Sequence, residues 1–222
     1  MKLSEKTISI LKNFSSINQS LLFKKGSTLK TISVMKNILA EAEIDEDFPK
    51  EFGIYDLNQF LNGLSLHQNA ELDFSSDSYA LIKEGSNRKT KYYYSDPNVI
   101  ISPPDKSLIL PTEDVCFELD SHQLNQLLKA ASVYQVPDLS AIGDGSKIQL
   151  VVRDRKNETS NEYSIEVGET VDEFVMNFKV ENIKIIPGKY EVVISKSNIS
   201  RFSNTQMKVT YHIALEPDST FG

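Results

Sequence analysis

Six lysines set the chemistry to look for. Lys2, Lys6 and Lys12 recur along one stripe of an amphipathic segment, beside Ser9, Asn13 and Ser16 and without a carboxylate. Lys129 stands on a second such segment, and Lys179 and Lys184 border a third, shorter one. Ammonium groups on a helix face contact phosphate oxygens and read no base sequence. For any one lysine a solvated face is the plainer explanation. What singles out the set is contrast: the chain holds 31 acids against 24 bases, yet these stripes carry no acid beyond the first turn or cap.

No other side chains gather into a reactive set. His67, His122 and His212 are far apart and lack metal-ligand spacing. No Gly-x-Ser-x-Gly nucleophile elbow occurs. Gly143-Asp144-Gly145 lacks the Lys-Ser/Thr pair and helix start that cradle phosphate, so it reads as a hairpin turn. The run Asp45-Glu46-Asp47 reads as a solvated loop. Cys116 is the only cysteine, which excludes an internal disulfide, and it is expected in a strand core. No catalytic group, metal or cofactor is expected.

The lysines need elements to hold them, and the chain supplies the same series twice. Ser4 caps a helix whose Thr7, Ile10, Leu11, Phe14 and Ile17 recur at helical steps. Strands follow near 21–23, 29–34 and 40–44, with breaks at Phe48-Pro49 and Gly53. Asp56 caps a second helix with Leu57, Phe60, Leu61 and Leu64 inward and Asn58, Gln59 and Asn62 opposite. Strands at 70–75, 78–83 and 90–94 complete the half. The second half opens at strand 115–119 and a helix capped by Asp120 or Ser121, with Leu124, Leu127, Leu128 and Ala131 inward. Strands at 139–142, 147–153, 161–167 and 173–178 lead to a helical turn over 179–185. Strands at 190–195, 200–204 and 208–215 precede a short polar tail. Ser102-Pro103-Pro104 breaks the chain between the halves. The expected class is α+β: one module over 1–107, an extended connector over 108–113 and a second module over 114–222. No stretch approaches the roughly 20 apolar residues that span a bilayer, and no export signal opens the chain. A net charge of −7 argues against nucleic-acid binding over the whole surface and leaves room for a local basic lining.

Two strands look like edges. Lys89, Lys91, Tyr92, Tyr93 and Tyr94 form a basic, aromatic one; Glu162, Tyr163, Ile165 and Glu166 form an acidic one. Opposite charge across paired strands favours such a junction modestly.

Several stretches carry a family likeness. They are the opening Met1-Lys2-Leu3-Ser4 with 10–18, then Tyr55-Asp56-Leu57-Asn58-Gln59-Phe60-Leu61, Gln123-Leu124-Asn125-Gln126-Leu127-Leu128, 183–190 and 213–220. Spread over the whole chain in order, they resemble the T-even-type bacteriophage sliding clamps, the DNA polymerase processivity factors. The stretches 24–50 and 152–175 depart from the family pattern.

The resemblance implies a fold and a mechanism. Two clamp modules per chain, helices inside and antiparallel sheets outside, would close head to tail as a ring-shaped homotrimer. The ring would encircle duplex DNA and tether the phage DNA polymerase. Lys2, Lys6, Lys12, Lys129, Lys179 and Lys184 would face the DNA. Strand 89–94 of one subunit would meet strand 161–167 of the next. A partner's apolar peptide would enter a pocket walled by Leu108, Ile109, Leu110 and Pro111 of the connector and by Ile213, Leu215 and Pro217. A clamp-loader ATPase and late-transcription factors are further implied partners, in the cytoplasm of the infected bacterium. Two other readings stay open: an assembly protein of the phage particle joined through its edge strands, and an α+β enzyme with an unrecognised site.

Overall fold

The structure is a computed structural model that describes residues 1–222. The chain divides into two compact units, Met1–Asp105 and Lys106–Gly222. The first contains α1 (Glu5–Ile17), β1 (Leu21–Phe23), β2 (Gly26–Ile32), β3 (Ile38–Phe48), β4 (Phe52–Ile54), α2 (Leu57–Ser65), β5 (Glu71–Asp73), β6 (Tyr79–Glu84) and β7 (Arg88–Tyr93). The second contains β8 (Val115–Leu119), α3 (Ser121–Tyr134), β9 (Asp138–Asp144), β10 (Lys147–Arg153), β11 (Tyr163–Glu169) and β12 (Glu173–Lys179). It ends with β13 (Tyr190–Ser195), β14 (Ile199–Asn204), β15 (Val209–Ala214) and β16 (Thr220–Phe221).

In the first unit β5, β6 and β7 form an antiparallel sheet in that order, so β7 is an edge. Strands β2 and β3 pair antiparallel from Ile32 opposite Leu39 to Gly26 opposite Phe48, a long hairpin ladder on which α1 lies. Ile10, Leu11 and Phe14 are fully buried, as the helical spacing requires. An aromatic cluster fills the centre: Phe23 stacks on Phe52 with centroids 4.7 Å apart and meets Phe48 edge-on at 4.8 Å. Tyr92 joins it by meeting Phe60 of α2 at 5.2 Å. Gly53 does not break the chain but sits in β4, where Ser95 N–H donates to its carbonyl at 3.0 Å. A Cβ there would lie 2.8 Å from the Ser95 carbonyl oxygen, so only glycine permits the approach.

In the second unit one sheet runs β11-β10-β9-β12-β16, and β11 is its outer edge. The strands β8, β13, β14 and β15 pair in that order. Helix α3 covers β10 and β11. Buried Tyr190 donates to the Ile186 carbonyl, and Ile186 N–H donates to the Tyr211 hydroxyl at 3.3 Å. Burial pushes the Tyr190 phenol up to about 12.

Four local expectations change. The run Asp45-Glu46-Asp47 belongs to β3 rather than to a loop. The helical turn of the second half is a single 3-10 turn, Val180–Asn182, so the halves share their first helix but not their second. The final residues form β16 on β12 instead of a free polar tail. Cys116 is exposed, because β8 alternates and buries Val115 and Leu119. No helix is long and apolar enough to cross a membrane.

Glu46 explains why the acidic run stays in the strand. Its carboxylate accepts from Ser4 N–H and, at 2.5 Å, from the Thr7 hydroxyl. It thereby satisfies free donors at the start of α1. Burial pushes its carboxyl up, but the hydrogen bonds from Thr7 and Ser4 outweigh this and hold it below 4.5. Glu46→Ala should lower stability by about 1–2 kcal/mol, read as a lower urea midpoint at unchanged slope. A carboxyl depressed by folding adds stability above its unfolded pKa and loses it as pH falls through the folded value. The gap between parent and variant should therefore be full near neutral pH and shrink on acidification.

Candidate nucleic-acid interface and edge strands

Each helix buries one stripe on a sheet, and this fixes what it turns outward. Ser4 caps α1 by accepting from Thr7 N–H at 3.2 Å. Beyond the cap the exposed line is Glu5, Ser9, Lys12 and Ser16, with exposed Lys2 just before the helix. Glu5 thus lies on the stripe expected to be free of acid, where the positive helix start favours it. Lys6 turns aside, half-buried and 3.8 Å from Asp45. Lys2 lies 3.7 Å from Glu71. Lys12 is exposed and makes no ion pair.

Helix α2 turns Asn58, Gln59, Asn62 and Ser65 outward, a face without charge. Its cap is Asp56, which accepts from Gln59 N–H at 2.9 Å. A cleft of about 400 Å³ runs between α1 and the end of α2, floored by Leu61, Leu64 and Leu72 and rimmed by Lys2 and Lys12. Sequence reading placed these amides opposite the core but gave them no role; their signal is an outward face with amides where charges are usual.

Helix α3 starts in a reciprocal cap: Asp120 accepts from Gln123 N–H, and the Gln123 side chain accepts from Asp120 N–H. Its exposed residues are His122, Asn125, Lys129, Ser132, Val133 and Tyr134. Lys129 stands alone among them as a cation. Lys184 is exposed just after the 3-10 turn.

Lys179 does not belong with these. It is the last residue of β12, and its ammonium donates to Asp138 Oδ1 at 2.5 Å. Asp138 is 1% exposed, and Arg155 adds its backbone N–H at 3.1 Å and its guanidinium Nε at 3.5 Å. Burial pushes the Asp138 carboxyl up, but the hydrogen bonds from Lys179 and Arg155 and their charges leave it below its usual range. Arg155 also binds Asp218, tying the last segment to the sheet.

Both expected edge strands are edges. On β7, Lys89, Lys91 and Tyr93 point out, while Tyr92 and, just past the strand, Tyr94 turn inward: Tyr92 donates to the Asp56 carbonyl at 2.9 Å, and Tyr94 packs on Phe52 at 4.9 Å. Lys91 lies over the Tyr79 ring at 4.8 Å. On β11, Ser164 and Glu166 point out and Tyr163 and Ile165 turn toward α3; Glu162 precedes the strand and is exposed. Glu166 is already held by Lys147 at 2.7 Å.

The expected peptide pocket divides. Leu108, Ile109 and Pro111 are exposed, Ile109 at 85%, and so is Pro217. Leu110, Ile213 and Leu215 are buried and form no open wall. In β15 Ile213 falls on the same side as buried Val209 and Tyr211.

Residues 2–102 match the family model described as DNA polymerase processivity factor, and residues 116–217 match that described as gp45 sliding clamp, C terminal. The sliding clamp of Vibrio phage KVP40 is 33% identical over 223 residues, covering 97% of this chain and 99% of the relative. That of Enterobacteria phage T4 is 31% identical over 230 residues, covering 99% of each. Among solved structures, PCNA of A. fulgidus, bound there to the C-terminal region of FEN-1, aligns at TM-score 0.70 and 14% identity over 96% of each chain. The DNA polymerase III subunit beta of Borrelia burgdorferi aligns at TM-score 0.71 and 17% identity over 98% of this chain and 64% of that one.

The lysines separate by what their removal leaves behind. Lys179→Ala strands a buried carboxylate and should cost about 2 kcal/mol, since Arg155 still offsets part of the charge. Lys12→Ala and Lys129→Ala should stay within about 0.5 kcal/mol of the parent in the same urea titration.

Proposed function

The chain belongs to the sliding-clamp family of DNA polymerase processivity factors, and from that premise we propose how its parts serve the task. A processivity factor keeps the polymerase on its template. The two units act as clamp modules, joined by the connector over 108–113. Three copies close head to tail, since a heterologous contact makes a ring when its rotation closes. In that ring the helices face the enclosed duplex and the sheets face outward.

Retention is topological, so the lining need not grip. Helices α1, α2 and α3 contain three lysines, Lys6, Lys12 and Lys129; of these Lys12 and Lys129 are exposed and unpaired. This is the observation that carries the DNA-facing assignment. Two such lysines per copy exchange phosphate partners without holding any one of them. Lys2, just before α1, and Lys184, just after the 3-10 turn, are exposed and add to this lining, and Lys6 and Lys179 serve the fold. Elsewhere the charge is repulsive: three copies carry −21, which keeps DNA off the outer surface.

The polymerase is held by an apolar peptide on the exposed part of the connector, Leu108, Ile109 and Pro111, with exposed Pro217 as a further apolar contact. Leu110, Ile213 and Leu215 are buried and belong to the core. A clamp-loader ATPase supplies the energy to place the ring on DNA, and late-transcription factors use the same outer surface. The work takes place in the cytoplasm of the infected bacterium.

Sedimentation over a range of concentrations should give closed trimers, and these should lengthen the products of the cognate polymerase on circular templates. Lys12→Glu with Lys129→Glu should keep the trimer but shorten the products about tenfold at low salt, the loss growing as salt falls. A monomer at all concentrations with no effect on the polymerase would overturn the proposal, and open-ended growth would favour the assembly-protein reading.

A further inference from the structure

Arg153 is a charged side chain lacking a partner. It ends β10 on the side of the sheet away from α3, and its Nε is buried with no hydrogen bond. The carboxylate beside it in register, Asp138 of β9, is taken by Lys179 and Arg155. Arg153 lines a cleft of about 350 Å³ with Ser160, Glu162 and Asn177. That cleft opens at the start of β11, the free edge of the sheet. A half-buried guanidinium prefers a planar partner to stack on or a carboxylate to bind.

We propose that the partner is Tyr93 of a second copy, delivered by β7 pairing antiparallel with β11 in one register. The proposal rests on the ring reading above. The sides of the two strands fix the parity. Thr90 and Tyr92 face the helix side of their sheet, where Tyr92 meets Phe60 of α2. Tyr163 and Ile165 face the helix side of theirs, where Tyr163 donates to Gln126 of α3 at 3.4 Å. A continuous sheet with its helices on one side sets Tyr92 and Thr90 against Tyr163 and Ile165.

Parity leaves registers two residues apart, and the strand limits choose among them. One shift sets Lys89 against Gly168, past the register break that β11 makes opposite Ile148 and Gln149. The opposite shift sets Tyr92 against Asn161, outside β11. The middle register places Lys89 opposite Glu166, Lys91 opposite Ser164 and Tyr93 opposite Glu162. It keeps every pair from Lys89 to Tyr92 within β11, with only Tyr93 meeting a residue one position before that strand, and it sets basic residues of one strand against acidic or neutral ones of the other.

In this register Tyr93 falls in the row of Lys179, Asp138, Arg153 and Glu162. Strands lie about 4.8 Å apart, so the backbone of Tyr93 is two spacings, about 10 Å, from that of Arg153. Two long side chains reaching over Glu162 close that gap. Tyr93 is 65% exposed in the free chain and lies 5.6 Å from Tyr79, which already orients its ring. The neighbouring copy thus supplies an aromatic face to a cation that has no partner in its own chain.

The test is the trimer dissociation constant, measured by sedimentation for Arg153→Ala, Tyr93→Ala, the pair together, Arg153→Lys, and Lys89→Glu with Lys91→Glu. Each alanine variant should raise the constant about tenfold, and the pair should raise it by far less than the product. Arg153→Lys should fall short of the parent, because an ammonium has no plane to stack. All substituted positions are exposed or half-exposed, and unchanged urea unfolding of each variant at low protein concentration confirms an intact protomer. Single alanine variants that leave the constant unchanged, or effects that multiply, overturn the Arg153–Tyr93 contact. If Lys89→Glu with Lys91→Glu still disrupts the trimer in that case, the strand junction stands without the contact. If it too leaves the trimer unchanged, the junction itself is wrong.

Discussion

A strand at the end of a sheet leaves every second backbone donor and acceptor without a partner, and this chain has such an end in each unit. β7 closes one three-stranded sheet and β11 begins a five-stranded one. Proteins usually blunt such edges with charge, proline or a covering loop. Here the edges carry charge of opposite sign, basic on β7 and acidic on β11, which repels a like edge and admits the unlike one. A chain with two complementary ends leaves both of them unpaired as a monomer. Head-to-tail joining is what satisfies both, and closure then depends on the angle each copy turns through.

The remaining electrostatics follow a division between cations that hold the fold and cations left over. Lys6, Lys179, Lys147 and Arg155 are committed within the chain. Lys12 and Lys129 are not. A lining with so few free charges gains little from any single phosphate, so neighbouring positions along a duplex differ little in energy. In the proposed ring the uncharged amides of α2 would add hydrogen bonding without fixed charge. A tighter lining would raise affinity and slow motion together, since both depend on the depth of the same wells.

Periodicity made the three helices legible, because Leu57, Phe60, Leu61 and Leu64, or Leu124, Leu127 and Ala131, mark one face without ambiguity. Turn chemistry made the Gly145 hairpin legible, and alternation the edges. What stayed hidden depends on distant partners. Glu46 faces inward in β3, and only Ser4 and Thr7, about 40 positions away in sequence, make that tolerable. Asp138 claims Lys179 across 41 positions, which no local pattern reveals. β16 is too short to show a period. Cys116 was legible by parity, since Val115 and Leu119 take the inward positions, and hydrophobic type misled. Leu215 and Ile213 belong to the core for the same reason that made them attractive as a pocket wall: they are apolar.

The exposure of Cys116 bears on how such an assembly can be watched. The chain has no second thiol, so a maleimide dye attaches at one place per copy, on β8. Partial burial and the charge of Glu113 raise the thiol's pKa, which slows alkylation at neutral pH and rewards mildly alkaline labelling. Copies bearing donor dye, mixed with copies bearing acceptor, then report subunit exchange through energy transfer, with every labelled position equivalent by symmetry.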